Sequence, residues 1–225
     1  AALWAGGLVL TGCSPAADTP ASTKLTPISP TRPAGPQTSA TSGSPTATSS
    51  PAPAPGAPAD AAIAWVQAAG PVDAADFNVA LRGGVSTPLG DDVAFTTPSG
   101  TSCMTDVRRG AAGLACLVNL TAPPPAPPDV YGVWKGGWVD FDGTAVRVGS
   151  AHGDPGRFTA GQGAPLPPDT SLSFGDFRCR TDTSTLVCVN YARQTAVRYS
   201  DAGITAYGCA QRTSPTPGIG IEFAC

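Results

Sequence analysis

From Gly70-Pro71 to the C-terminus, apolar and polar residues alternate in short runs, each cut by Gly, Pro, Asn or Asp. That two-residue period with frequent breakers predicts strands joined by tight turns. Strands are expected over 92–95, 102–106, 114–120, 172–180, 185–191, 196–199, 204–207 and 219–223. Before them, 61–69 is an alanine-rich stretch around Ile63, Trp65 and Val66. It predicts one short helix with Asp60 as its cap. The clearest hairpin turns at Asp142-Gly143, a dipeptide suited to a two-residue turn. That register pairs Phe141 with Thr144, Val139 with Val146 and Trp138 with Arg147. One face then carries Val139, Phe141, Val146 and Val148 as core. The other carries Trp138, Asp140, Ala145 and Arg147, with a cation–π contact between Trp138 and Arg147. The proline-rich 123–128 reads as a connector. The expected class is mainly β: a disulfide-pinned β-sandwich or barrel-like domain.

The first residues follow a different pattern. Ala1 to Leu10 is uncharged and apolar and does not begin with Met. It reads as the hydrophobic region of a signal peptide truncated at its start, spanning 1–12. It runs into Leu10-Thr11-Gly12-Cys13-Ser14, which resembles a bacterial lipobox. The resemblance implies cleavage before Cys13 and acyl chains on that residue, such as palmitate, and two or three chains anchor far better than one. Between Ser14 and Asp60 only Asp18, Lys24, Leu25, Ile28, Arg32, Gln37 and Asp60 are not Ala, Gly, Pro, Ser or Thr. Such a composition buries too little apolar surface to offset its ordering entropy, so 13–60 is expected to be a lipidated cysteine followed by a disordered linker. The rest, 61–225, is long enough for a single β-rich domain with its own core.

Composition narrows the class. Only 13% of the 225 residues are charged, and Gly and Pro number 27 and 25. That excludes a coiled coil or long-helix protein. The net charge of −3 lacks the basic surface that nucleic acid requires. No apolar run reaches the length of a membrane-spanning helix.

Seven cysteines are present. With Cys13 assigned to lipid, six remain, and an even number in an exported domain reads as disulfides. Pairing of neighbours is expected: Cys103–Cys116, Cys179–Cys188 and Cys209–Cys225. The spacings lack the close Cys pairs of zinc modules, so no metal is expected. Leu114-Ala115-Cys116-Leu117-Val118-Asn119 is echoed by Leu186-Val187-Cys188-Val189-Asn190, each downstream of another cysteine. Two hairpins, each closed by a disulfide, would explain both.

Candidate chemistry is sparse, and neither a catalytic set nor a cofactor is expected. The single His152 lies in a Gly/Pro turn beside Asp154, with no identified nucleophile. Asp140-Phe141-Asp142-Gly143 resembles a fragment of a calcium loop, but the chain has one glutamate, Glu222, far away. Asp91-Asp92 and the Gly110–Gly113 stretch read as turns or loops. Arg178 and Arg180 share one strand face by period two and offer a site for an anion, or a solvated row paired with Asp176, Asp182 and Asp201. Trp134 and Trp138, interleaved with Gly, offer a stacking platform for sugar, or a bulged strand that buries one indole.

Three stretches carry a family resemblance. They are Phe95-Thr96-Thr97-Pro98-Ser99-Gly100 with Gly113-Leu114-Ala115-Cys116, the run Trp134 to Gly143, and Phe174-Gly175-Asp176-Phe177-Arg178-Cys179-Arg180. Together with the lipobox, they resemble uncharacterised mycobacterial and actinobacterial lipoproteins of the LppI type. The resemblance implies a place on the outer face of the plasma membrane and no particular reaction. The expected function is therefore that of a membrane-anchored envelope lipoprotein, a non-enzymatic binding or structural module. Its partners are the membrane, through the lipid, and an envelope protein or glycan. The alternatives are a cell-wall hydrolase using Asp residues and a carrier of lipid or a small ligand.

Overall fold

The computed structural model describes residues 50–107, 111–151 and 156–225. Cys13, the linker up to residue 49, Gly110, His152 and Asp154 lie outside them. Helix α1 (Ala59–Gln67) comes first, then β1 (Gly70–Pro71) and a 3-10 turn at Ala74–Phe77. A hairpin of β2 (Val79–Arg82) and β3 (Val85–Pro88) follows. Next come β4 (Ala94–Thr96), β5 (Ser102–Asp106), β6 (Ala111–Leu117), β7 (Trp134–Phe141) and β8 (Ala145–Ala151). A second 3-10 turn, Gly156–Ala160, leads to β9 (Ala164–Pro165). The remainder is β10 (Thr170–Phe174), β11 (Phe177–Thr181), β12 (Leu186–Asn190), β13 (Thr195–Ser200), β14 (Gly203–Tyr207), β15 (Gln211–Thr213) and β16 (Ile219–Ala224).

These strands form a sandwich of two large sheets. One has the order β1-β10-β11-β12-β13-β14, the other β15-β16-β8-β7-β6-β5-β4-β9. The inward positions of both make one core. Phe95, Leu114, Val139, Phe141, Val146 and Val148 from the eight-stranded sheet meet Leu172, Leu186, Val197 and Tyr199 from the six-stranded one. Disulfides join Cys103 to Cys116, Cys179 to Cys188 and Cys209 to Cys225. The first two link residues directly opposite each other on β5–β6 and β11–β12. All four of those cysteines are fully buried in the inter-sheet core.

The echo around Cys116 and Cys188 extends to topology. Each sheet is built on a five-strand meander, β4–β8 or β10–β14, with the disulfide between its second and third strands. Each meander also gains a short parallel strand from the other half's leader: β1 adds to β10, and β9 adds to β4. Pro71 and Pro165 occupy these edge strands. Proline is tolerated there because no ladder donor is needed on the open side. The two halves thus exchange their leading segments.

Each sheet has an outer cover. Helix α1 lies on the six-stranded sheet and buries Ala62, Trp65 and Val66 against Val187, Val189, Ala196 and Tyr207. The spacing i, i+3, i+4 puts all three residues on one helical face. On the eight-stranded sheet, Ala80 of β2, Leu89 and Phe158 pack with Met104, Ala115 and Trp138.

Several sequence expectations need correction. The helix starts two residues earlier than expected. Its cap is Pro58, with no side-chain hydrogen bond, and Asp60 sits inside the first turn. Residues 50–60 belong to the folded body: Trp65 Nε1 donates to the Ser50 carbonyl at 2.7 Å, and Tyr207 Oη donates to that of Pro53 at 2.8 Å. The run 172–180 is two strands, because Gly175, at φ +49°, turns the chain between Phe174 and Phe177. The β2–β3 hairpin carries no alternating apolar signature in sequence, since Val79, Leu81 and Val85 are exposed.

The β7–β8 register also differs by two residues. Phe141 faces Val146, Asp140 faces Arg147 and Val139 faces Val148. The Asp142 carboxylate accepts from Thr144 N, Thr144 Oγ1 and Ala145 N, which moves the turn to Gly143-Thr144. A slip of two residues keeps every side chain on its face, so the core set Val139, Phe141, Val146 and Val148 is unchanged.

Candidate functional site

Arg178 and Arg180 do project from one face of β11, but that face lies under α1. Arg178 Nη2 donates to the Ala69 carbonyl at 2.9 Å, and its guanidinium also donates to Ser171 Oγ. Arg180 is 5% exposed and donates to the Trp65 carbonyl at 2.7 Å. Its guanidinium carbon sits 4.0 Å from the centre of the Trp65 ring, a cation–π geometry. It also pairs with Asp169, at 3.1 Å. A helix end leaves carbonyls without intrahelical donors and carries partial negative charge. The two arginines supply both donors and positive charge to the end of α1, which has no basic residue in its last turn. They are a clamp for the helix, built on the Ala69 and Trp65 carbonyls, Ser171 and Asp169 rather than on a solvated row of charges.

The two tryptophans are not brought together as a platform. A bulge between Lys135 and Val139 separates them. Trp138 is fully buried beneath the β2–β3 hairpin, edge-on to Phe158 at 5.4 Å. Its Nε1 donates to Asp140 Oδ2 at 2.9 Å. The register sets Arg147 opposite Asp140 rather than Trp138, and its guanidinium is engaged by Asp142 and Glu222 instead of the indole. Trp134 is half-buried and donates from Nε1 to the Pro124 carbonyl.

Near Trp138 lies a cavity of about 330 Å³, bounded by Thr87, Leu89, Asp92, Met104, Asp106 and Arg157 among others. Its floor is apolar at Leu89 and Met104, both buried. Asp92 is also buried and is committed to the end of β5, accepting from Thr105 Oγ1 and Val107 N. Arg157 Nη2 lies 3.5 Å from Asp140 Oδ1. Arg157 Nη1 is buried without a hydrogen-bond partner among the described residues. An apolar floor with a guanidinium and the carboxylates of Asp92 and Asp106 at its walls has the chemistry to admit a small molecule with a polar end. Composition gave no warning of this cavity. Thr87, Leu89, Met104 and Arg157 are scattered in sequence and meet only through β-sheet pairing.

The carboxylates Asp140 and Asp142 point into different environments. Asp142 closes the β7–β8 turn and pairs with Arg147 Nη1 at 2.9 Å. Arg147 Nε reaches Glu222 at 2.9 Å, and Glu222 accepts from both the amide and the hydroxyl of Thr216. Burial pushes Glu222 upward, but the Thr216 and Arg147 contacts outweigh it and hold the carboxyl below its ordinary range. Burial likewise raises Asp142, and its bonds from Thr144, Ala145 and Arg147 more than reverse that. The same two carboxylates keep Arg147 protonated against the cost of burial. This network fastens the β15–β16 loop to β8 and has the character of a structural tie.

A groove of about 730 Å³ runs between residues 56–59, β14 and the β15–β16 hairpin, lined by Ile204, Ala206, Tyr207, Arg212 and Phe223 among others. The Cys209–Cys225 disulfide flanks it, and both cysteines are exposed. Among the described residues, no group of three His, Cys, Asp or Glu is placed to hold a metal ion. Nor, among them, is any helix long and apolar enough to cross a membrane. No family model, curated protein or solved structure matches the chain.

Proposed function

We propose that this chain is an envelope lipoprotein of the LppI type, anchored through Cys13 and presenting a non-enzymatic binding or structural module. The observation that carries the reading is the pair of cross-strand disulfides buried at equivalent places in both meanders. A core built around disulfides belongs to an oxidising, extracytoplasmic compartment. Behind Leu10-Thr11-Gly12-Cys13, it gives a tethered module with membrane and envelope partners. The side chains that offered ligand chemistry in sequence, Arg178 and Arg180, hold the fold's own helix, which favours a scaffold role over a reactive one. The test is cell fractionation with a clickable palmitate analogue. The wild-type chain should enter the membrane fraction carrying the analogue, and Cys13→Ser should do neither. Equal membrane association of both would refute the anchor.

A second reading, a carrier of a small ligand, is favoured by the 330 Å³ cavity, whose lining joins apolar Leu89 and Met104 to Arg157. Native mass spectrometry of the full chain from cells should then show a non-covalent adduct that Arg157→Ala loses. A clean apo mass for the wild type would count against it.

A further inference from the structure

We propose that Cys209–Cys225 is a thiol–disulfide exchange site, open to an extracytoplasmic dithiol while the domain stays folded. The three disulfides differ in what surrounds them. Cys103, Cys116, Cys179 and Cys188 are each 0% exposed, sealed between the sheets. Cys209 and Cys225 are both exposed. Exchange requires a thiolate to approach a sulfur in line with the S–S bond, so access sets the rate. Only one bridge grants that approach without separating the sheets.

The chemistry balances with a dithiol as the co-reactant. One thiolate of the dithiol attacks the sulfur of Cys209 or Cys225. That forms a mixed disulfide and releases the other cysteine as a thiolate, which takes up a proton. The second thiol of the dithiol, after losing its proton, attacks its partner sulfur in the mixed disulfide and releases the remaining cysteine. Two electrons and two protons pass to the protein, and the dithiol leaves as its own disulfide.

The neighbourhood confines the consequence. Cys209 lies in the connection between β14 and β15, and Cys225 follows β16. Strand β15 is exposed at all three positions and is held by three residue pairs to β16. Strand β16 keeps five residue pairs to β8, and Cys225 N donates to the Thr144 carbonyl. Opening the bridge therefore removes the covalent tie on the 208–213 segment and leaves it held by the three β15–β16 pairs, so that it loosens while β16 stays docked. That segment forms one wall of the 730 Å³ groove, through Gly208, Ala210, Gln211 and Arg212. Exchange widens the groove toward Ile204, Ala206 and Phe223, which pack on the main core. The groove's accessibility is thereby set by a redox event at its rim.

The test uses the full chain, oxidised and without denaturant. It is treated with dithiothreitol, quenched with iodoacetamide and mapped by peptide mass spectrometry, with Cys13 scored separately. Cys209 and Cys225 should be alkylated more than about tenfold faster than the other four. The near-UV circular dichroism should persist, and deuterium uptake should rise over 208–213 but not over β8. Simultaneous labelling of all six cysteines with loss of the near-UV signal would overturn the proposal. So would labelling of the buried four first, or no labelling until denaturant is added. As a second arm, the Cys209→Ser/Cys225→Ser double variant should fold and show the raised exchange at 208–213 without reductant. Wild-type protection there in the folded variant would sink the link between the bridge and the groove.

Discussion

At the scale of single residues, backbone geometry and unmet polar atoms govern what a substitution does. Gly113 lies in β6 at φ +83°, and a β-carbon there would sit 2.2 Å from the Phe141 carbonyl oxygen. Gly113→Ala should therefore cost about 2–3 kcal/mol, combining left-handed strain with overlap against rigid backbone. Gly175→Ala provides the contrast, since its φ is +49° but open space surrounds it, so only about 1 kcal/mol is expected. Urea unfolding of both variants checks the difference. Tyr199 is buried in the core with its hydroxyl unpartnered among the described residues, and burial, with Asp140 nearby, keeps the phenol protonated far above its usual range. Tyr199→Phe removes an unmet polar group and should raise stability by about 1 kcal/mol. A loss on urea unfolding would mean the hydroxyl has a partner that the packing does not reveal.

At the scale of elements, the strands were legible where several large apolar residues line one buried face, because burial then imposes the two-residue period; β2 buries only Ala80 and carries no such signal. The run over 102–106 coincides with β5, and the core face of β7–β8 survives a register two residues from expectation. Turns were less legible. Asp142-Gly143 has the composition of a two-residue turn, but the Asp142 side chain captures three donors and shifts the reversal forward by one residue. The arginines were the least legible. Period two places Arg178 and Arg180 together, yet nothing local indicates that a helix more than a hundred residues earlier covers them. Arg180→Ala should cost about 2–4 kcal/mol by stripping a buried donor from the α1 terminus and the cation from Trp65. Lysine should recover only part, lacking the planar fork. Thermal unfolding with tryptophan emission as the probe reads both effects. The Glu222 tie gives this scale a pH signature. The folded pKa values of Glu222 and Asp142 lie below their unfolded ones. Their contribution is therefore complete above the ordinary carboxylate range near 4 and is lost as pH falls through the depressed folded values. The urea midpoint should drop on acidification below about pH 4, and Glu222→Gln should flatten that slope. An unchanged slope would show that the tie adds nothing to folding.

At the scale of the whole molecule, the faint echo around Cys116 and Cys188 marks two meanders of the same design that trade leading strands. Sequence showed only the disulfide-bearing hairpins of that design, because short edge strands such as β1 and β9 carry two residues each and no period. Two features then converge in one account: the proposed lipid anchor at Cys13, which would hold the chain to the membrane, and six disulfide-bonded cysteines, which point to an oxidising exterior. Each bridge closes a short loop, separations of 13, 9 and 16 residues, and loops of this size are worth roughly 3 kcal/mol apiece in chain entropy. The most direct test is a non-reducing tryptic map of the protein extracted from cell membranes. The account predicts an N-terminal peptide that begins at Cys13, ends at Lys24 and carries acyl mass, together with Cys103–Cys116, Cys179–Cys188 and Cys209–Cys225 as the linked pairs. An unmodified peptide running through Gly12-Cys13-Ser14, or cysteines paired across the two meanders, would contradict it.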